Sequence, residues 1–430
     1  LAFGFPPAAK SSTYRLLEIG NQFAERGWQV TVLNAPNEVW ESDTGVDLSL
    51  MQRVHPDITM ISVPVESPQR ETDISRFSEE RAIAPKRWLK NLREASMQVF
   101  PEPAFGAWRP AIEETAVRLH QENPFDLVVV SCTPYVLLST ALRLKREFGV
   151  PFAIDFRDGW SIDVVGGEVA FEIDSDQGRW EAEALDEAIS LWVVNEPIAE
   201  HYRQRYPALA DKVSVVRNGH DISAHPHEPQ MDSGTPHLKF GYLGTVNYPR
   251  ETLEFVLECW REARARELTL KDATFELRGY FGAGSHRGAH PALSLVDAAA
   301  DAGVSYGGPV PKSEVGHVYG DWDALVLILI GGRYVTSGKV YEYMASGLPI
   351  VSVHETEHDA STLLGSYPLW TGPTDLDRER VVEAICAAAR MATSAGPSER
   401  AAALAAAAKY QRRALMSPAI DELVERVTAR

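Results

Sequence analysis

Four short runs, "FDLVVVS" (125–131), "VPFAIDF" (150–156), "SLWVVN" (190–195) and "KVSVV" (212–216), are almost wholly apolar and lie a helix-length or so apart. A strand with one wet face alternates apolar and polar residues, whereas a near-continuous apolar run is covered on both faces. Helices between such strands return the chain to the same edge, so the pattern predicts an α/β fold with a doubly wound parallel sheet. "QVTVLN" (29–34) is a further strand. It follows the amphipathic helix "SSTYRLLEIGNQFAERG" (11–27), with Leu16, Ile19 and Phe23 on one face and Gly27 as the stop. The opening "LAFGFPP" reads as a shortened first strand.

The winding breaks at "ISAHPHEPQMDSGTPH" (222–237), a polar stretch with three prolines that reads as a linker. It then restarts with "LKFGYLGTV", "ATFELRGY", "GVSYGG", "DALVLILI" and "LPIVSV". A chain of 430 residues suits two cores rather than one. The expected division is residues 1–217, a linker over 218–237, and a second domain over 238–404. The alanine-rich remainder forms helices over 405–430 that pack back on the first domain. Ligands of such sheets collect at the carboxyl ends of the strands, here in a cleft between two facing sheets.

Charge narrows the partners. The net charge is −18, and neither half is basic: residues 1–217 carry 22 Lys+Arg against 33 Asp+Glu, the rest 20 against 27. Nucleic acid and anionic lipid both repel such a surface. The exception is "APKRWLKNLREASMQVF" (84–100), where Lys86, Arg87, Lys90 and Arg93 alternate with Trp88, Leu89, Leu92 and Met97. It reads as a helix covering the core with a solvated basic face, the alternative being a membrane-surface foot. The apolar content of 45% is that of a soluble protein, no run is long enough to span a bilayer, and no signal peptide is recognised. Cys132, Cys259 and Cys386, odd in number and far apart, point to a reducing cytoplasm.

The segment with the most chemistry is "TSGKVYEYMASGLPIV" (336–351). A strand, a loop and a helix start near Lys339 make a seat for an anion, because first-turn N–H groups and the helix dipole both face it. Lys339 adds a full charge. Glu342, one turn on, can accept two hydrogen bonds from a vicinal diol such as a ribose. The segment is not a Walker P-loop: Gly332 lies one residue too far from Gly338, and Val340 occupies the hydroxyl position. The plainer reading is ordinary helix capping with a first-turn acid.

"GKVYEYMASGLPIV" resembles the signature of the retaining nucleotide-sugar glycosyltransferases of family four. "FPPAAKSSTYR", "FDLVVVSCTPYVLL", "GVPFAIDFRDGW", "VVRNGHD" and "FGYLGTVNYPRETLEFVLE" resemble other motifs of that family, in the same order. The resemblance implies the GT-B fold: two Rossmann-like, doubly wound parallel-sheet domains facing across a cleft. It also implies a UDP- or GDP-linked sugar as co-substrate, retention of configuration, and no cofactor or metal. Glu342 matches the family's ribose-binding Glu, while Tyr334 stands where its partner Glu would be. Thr245 and Arg250 lie near the positions of the diphosphate-binding Arg and Lys. The diphosphate is therefore expected on Arg250, Lys339 and backbone N–H groups around Gly244, Ser337 and Gly338, with Thr245, Gly279 and Val340 also on the donor side.

The acceptor side would take Lys10 and Ser11 from the first strand-to-helix loop, and Thr133, Arg157 and Asp158 from later strand ends. "SCTP" lacks the family's His, leaving Ser131, Cys132 and Thr133 as unranked candidates. "DFRDGW" places Asp155, Arg157, Asp158 and Trp160 at a strand end. Catalysis is expected from Asp158, Lys339 and Arg250, with a plain Asp158–Arg157 pair as the alternative. The expected acceptor is a small soluble molecule of natural-product assembly. A lipid-linked or cell-envelope glycan at the membrane face is the alternative, with a non-catalytic nucleotide-sugar binding protein and an epimerase behind it.

"HETEH" (354–358) spells the zincin string, but it follows a strand and is expected in a loop, where it cannot place two histidines one helical turn apart. His220, His225 and His227 read as residues of a solvated linker. Gly282, Gly284 and Gly288 are one residue too long for a dinucleotide fingerprint and read as a loop near the donor base.

Overall fold

The computed structural model describes residues 1–41, 45–221, 237–246, 248–282 and 290–429. Most of the expected linker, with His225 and His227, lies outside the described residues, as do Gly284 and Gly288. The chain divides into two compact units. One comprises Leu1–Asp163, Glu168–Arg217 and Met416–Arg430; the other comprises Val164–Gly167 and Asn218–Leu415. Among the described residues no helix is long and apolar enough to cross a membrane.

The first unit holds β1 (Val30–Asn34), β2 (Ile58–Ser62), β3 (Val128–Cys132), β4 (Phe152–Phe156), β5 (Ser190–Val193) and β6 (Val213–Val215). β1 pairs with β2, and β3, β4, β5 and β6 follow one another in a four-stranded sheet, every pair parallel. Ala2 joins the two sheets: it forms a parallel bridge with Ser131, and its amide donates to Leu33 O at 3.0 Å. The opening segment, expected as a shortened first strand, thus lies between β1 and β3 and contributes a single bridge residue. The helix Ser11–Glu25 packs Leu16 and Leu17 against Phe5 and Val32, while Ile19 and Phe23 meet Ala153, Trp192 and residues Met416, Ile420 and Leu423 of the last helix.

The second unit is one six-stranded parallel sheet in the order β12-β11-β10-β7-β8-β9, with β7 (Lys239–Leu243), β8 (Thr274–Arg278), β9 (Val304–Gly308), β10 (Ala324–Ile328), β11 (Ile350–Val353) and β12 (Trp370–Thr371). Both faces are covered. Val326 and Ile328 of β10 face a cluster with Trp260, Phe275 and Ile385, while Leu325 and Leu327 face one with Trp322, Tyr341 and Met344. That period of two with apolar residues on both sides is why "ALVLILI" shows no alternation. The alanine-rich tail is helical over Arg378–Ser394, Pro397–Ala408 and Arg412–Thr428.

His220 departs from the solvated-linker expectation. It is 4% exposed, its Nε2 lies 3.1 Å from Ala407 O, and its amide donates to Tyr410 O. The turn around it is locked to the start of the last helix. Arg412 Nε binds Asp221 at 2.6 Å, and a Cβ on Gly219 would meet Tyr410 O at 2.6 Å.

Candidate functional site

In the second unit, β8 and β9 lie to one side of β7, while β10, β11 and β12 lie to the other. The order reverses between β7 and β10, and at such a switch point the loops at the strand ends part to leave room for a ligand. Gly244 follows β7 there, and the loop after β10 leads into the helix Gly338–Ser346. Ser337 caps that helix, its Oγ accepting from the Lys339 amide at 3.3 Å, and Gly347 in the left-handed region ends it. Val340, Tyr341, Tyr343 and Met344 are buried, which fixes the helix so that Lys339 and Glu342 stay on its partly exposed side.

Lys339 lies over Gly244. A Cβ at Gly244 would come within 2.1 Å of Lys339 Cε, and its φ of +144° suits glycine alone. The ammonium donates to Thr245 O at 3.3 Å and stands 5.2 Å from the Tyr242 ring centroid. Desolvation lowers its pKa to about 8, against an opposing pull from the Glu342 carboxylate. Gly279, after β8, has φ +122° and packs so closely on Gly244 that a Cβ would meet Gly244 O at 2.3 Å. Two glycines therefore let two strand ends and a lysine converge.

Glu342 is paired with a residue that sequence reasoning did not find: Lys312, whose ammonium donates to Glu342 Oε1. Their side chains are 10% and 19% exposed. Tyr334 is buried and its hydroxyl accepts from Arg333 at 2.9 Å.

Several donor-side expectations need correction. Val340 is fully buried in the core, and its amide donates to Ser337 O, so neither end is open to a ligand. The Gly244 amide, expected on the diphosphate, donates to Arg278 O at 2.9 Å, and the Gly279 amide donates to Gly308 O. The amides left to an anion are those of Ser337 and Gly338, since a helix start has no acceptor for them within itself. The exposed Arg250 begins the helix Arg250–Arg266 and is tied to Pro291 O at 3.2 Å and Ser294 Oγ at 3.4 Å, not to the Lys339 group.

The first unit has its own switch, between the opening segment and β3. Lys10 precedes the first helix, 5.8 Å from the Trp40 centroid, and Ser11 beside it is exposed. Of the three "SCT" candidates only Thr133 is partly exposed. Ser131 is buried and its hydroxyl donates to Asp155 at 2.7 Å; Cys132 is buried and burial pushes its thiol well up. Asp155 is itself wholly buried, held by Arg15 through Nε and Nη2, while Arg15 Nη1 donates to Val216 O. That strand-end acid is a structural hub, not a ligand group. Arg15 sits on the apolar stripe of its helix, four residues before Ile19, and that placement was the signal for it.

Asp158 is 46% exposed and lies 3.5 Å from Arg157, which is 16% exposed. Its carbonyl accepts from Tyr135 OH at 3.0 Å. Trp160, two residues on, stacks on Tyr135 with centroids 4.8 Å apart, and its amide donates to Tyr202 OH, which in turn donates to the buried Glu181. Glu102, unremarked in the sequence, accepts the Tyr135 and Val136 amides at 3.1 and 2.8 Å at the start of the helix Leu137–Phe148. Burial raises its pKa to about 7 against those two hydrogen bonds.

The zincin string forms no zincin site. His354 follows β11 and His358 caps the short helix Asp359–Leu364. The Ala360 amide donates to His358 Nδ1, so Nε2 of that ring carries the proton and cannot ligate a metal. Burial lowers its pKa to about 4.

Residues 12–219 match the family described as "Glycosyl transferase 4-like domain". No curated protein sequence matches the chain. Among solved structures it is similar to a sucrose-phosphate synthase from Thermosynechococcus elongatus, at 14% identity over 99% of this chain and 96% of that one, with a TM-score of 0.59. A glycosyltransferase from Rickettsia africae ESF-5 matches at 11% identity, 99% and 97% coverage and 0.62. A structure described as "Trehalose-6-phosphate from E. coli bound with UDP-2-fluoro glucose" matches at 12% identity, 98% coverage of both chains and 0.60. The fold is GT-B, as the motif order implied.

Proposed function

We propose that this chain, which has the GT-B fold and a glycosyl transferase 4-like domain over residues 12–219, moves a sugar from a nucleoside-diphosphate donor to a small acceptor with retention of configuration. The observation that carries the reading is the Lys339 ammonium lodged over Gly244 at a capped helix start, with Glu342 one turn on. The bond from the anomeric carbon to the diphosphate oxygen breaks with its electron pair on oxygen, the acceptor atom bonds to the same face, and the proton the acceptor gives up passes to the leaving diphosphate oxygen. Lys339 and the Ser337 and Gly338 amides stabilise the charge growing on the leaving diphosphate. Glu342 takes the ribose diol. Asp158, the exposed carboxylate of its strand end, is the acceptor-side contact.

A UDP-linked donor is supported by the UDP-2-fluoro glucose bound in one similar structure. Thermal melting with UDP, GDP and their glucosyl forms tests donor class, because a specific ligand stabilises the folded state alone. Turnover of the recognised donor with candidate acceptors then tests transfer. Lys339→Met should lower kcat more than donor affinity if the lysine acts on the leaving group. A protein that binds donor and never turns it over would be a binding protein instead.

A membrane-face acceptor is the second reading, favoured by one observation. The helix Pro85–Val99 buries only Ser96, leaving Trp88 and Leu89 half-buried beside an Ile83 that is 72% exposed. Its cations are partly spent, Arg87 on Glu80 at 3.5 Å and Lys90 on Glu94 at 3.6 Å, which favours the soluble acceptor. Co-sedimentation with anionic liposomes, lost on reversing Lys86, Arg87 and Lys90, would reverse that order.

A further inference from the structure

We propose that Lys312 is a positioning residue that aims the Glu342 carboxylate and thereby sets a preference for ribonucleotide over deoxyribonucleotide donors. This rests on the reading of Glu342 as the ribose-binding acid. Lys312 opens the short turn Lys312–Glu314 between β9 and the helix Val315–Gly320, thirty residues before its partner. Its ammonium donates to Oε1 of Glu342, and both side chains are largely withdrawn from water. A glutamate without a charged partner would sample more rotamers and lose that freedom on binding. Lys312 fixes Oε1 by a charge-assisted bond, and with the buried Tyr319 hydroxyl also close to the carboxylate, the direction in which its remaining lone pairs face the two hydroxyls is set.

The second effect concerns Lys339. It stands three residues before Glu342 on the same helix, and the Glu342 charge favours its protonated form. Residues at that spacing are neighbours on a helix surface. With Lys312 neutralising the acid, the Lys339 ammonium remains on Thr245 O over Gly244. Without Lys312 the acid is free to draw Lys339 away, and the cation meant for diphosphate and the acid meant for the diol would satisfy each other. Lys312 keeps the two tasks apart.

The test is calorimetric titration of the intact protein with UDP and GDP and with their 2′,3′-dideoxy forms. Wild type should prefer the ribo form of whichever nucleotide binds by tenfold or more. Lys312→Met, which keeps the stem and drops the charge, should cut that preference to threefold or less. Lys312→Arg should restore most of it. A Lys312→Met protein that keeps the wild-type ratio, or that loses ribo and dideoxy affinity equally, overturns the proposal, since an ion pair serving stability alone would not move the ratio. Glu342→Gln separates the premises. If it too leaves the ratio intact, or if neither nucleotide binds wild type, the ribose reading fails; if it abolishes the ratio while Lys312→Met does not, only the role of Lys312 fails.

Discussion

Lys339 lies where a side chain on Gly244 would go, and that exclusion is the sharpest constraint in the second unit. Gly244→Ala would drive a methyl into the lysine stem at a backbone angle that L-residues avoid. It should abolish nucleotide binding while the protein still melts cooperatively. Calorimetry with circular dichroism reads both. The lysine also predicts a pH profile. Its folded pKa is depressed to about 8, so the free protein loses this cation as pH rises through 8. A bound diphosphate favours the charged form, so affinity should fall above about pH 8 in wild type and stay flat in Lys339→Met. In the first unit, Arg15→Met should destabilise by about 3–5 kcal/mol in urea unfolding, because it strands the buried Asp155. The residues legible in the sequence were those on a recognisable helix start or strand end. Lys312 was not, since "GPVPKSEV" has no period or cap that points at Glu342, and the pairing exists only once β9 and β10 lie in one sheet.

At the scale of elements, the buried parallel strands were the clearest signal, and β3, β4, β5, β7 and β10 fall within their apolar runs. β2 and β12 escaped the reading. β2 sits at a sheet edge and mixes Thr59 and Ser62 with its apolar residues, and β12 is two residues long. Neither has the uninterrupted apolar run that burial on both faces produces. The turn Asn218–Asp221 was legible as a motif, but its physical reason was not: Arg412, almost two hundred residues on, fills it. Gly219→Ala, with φ +62° and Tyr410 O in the way, should lower stability by more than about 1 kcal/mol in chemical denaturation. Glu102 adds a pH term at the helix start Leu137–Phe148. Its folded pKa is raised to about 7, so the native state holds a proton that the unfolded chain releases, and stability should fall as pH rises toward 7. Glu102→Gln should flatten that slope in melting curves taken from pH 5 to 7.

For the whole molecule, the net charge of −18 means that the proposed site would have to attract an anionic donor through local cations and helix-start amides. Competing salt should therefore do little to nucleotide affinity compared with loss of Lys339, since a seat built at contact distance is screened less than a long-range field. The sequence carried the fold class because the strand pattern repeats in both halves. It did not show that Ser131 and Asp155, which look like a strand-end site, are buried around Arg15. If the anion seat at Lys339 and the acid at Glu342 grip a nucleoside diphosphate, calorimetric titration of the binding nucleotide, UDP or GDP, into wild type and Glu342→Ala should show a loss of about 1.5–3 kcal/mol in the variant, the worth of hydrogen bonds to a charged group. Equal affinity in the two proteins would mean that Glu342 does not hold the ribose.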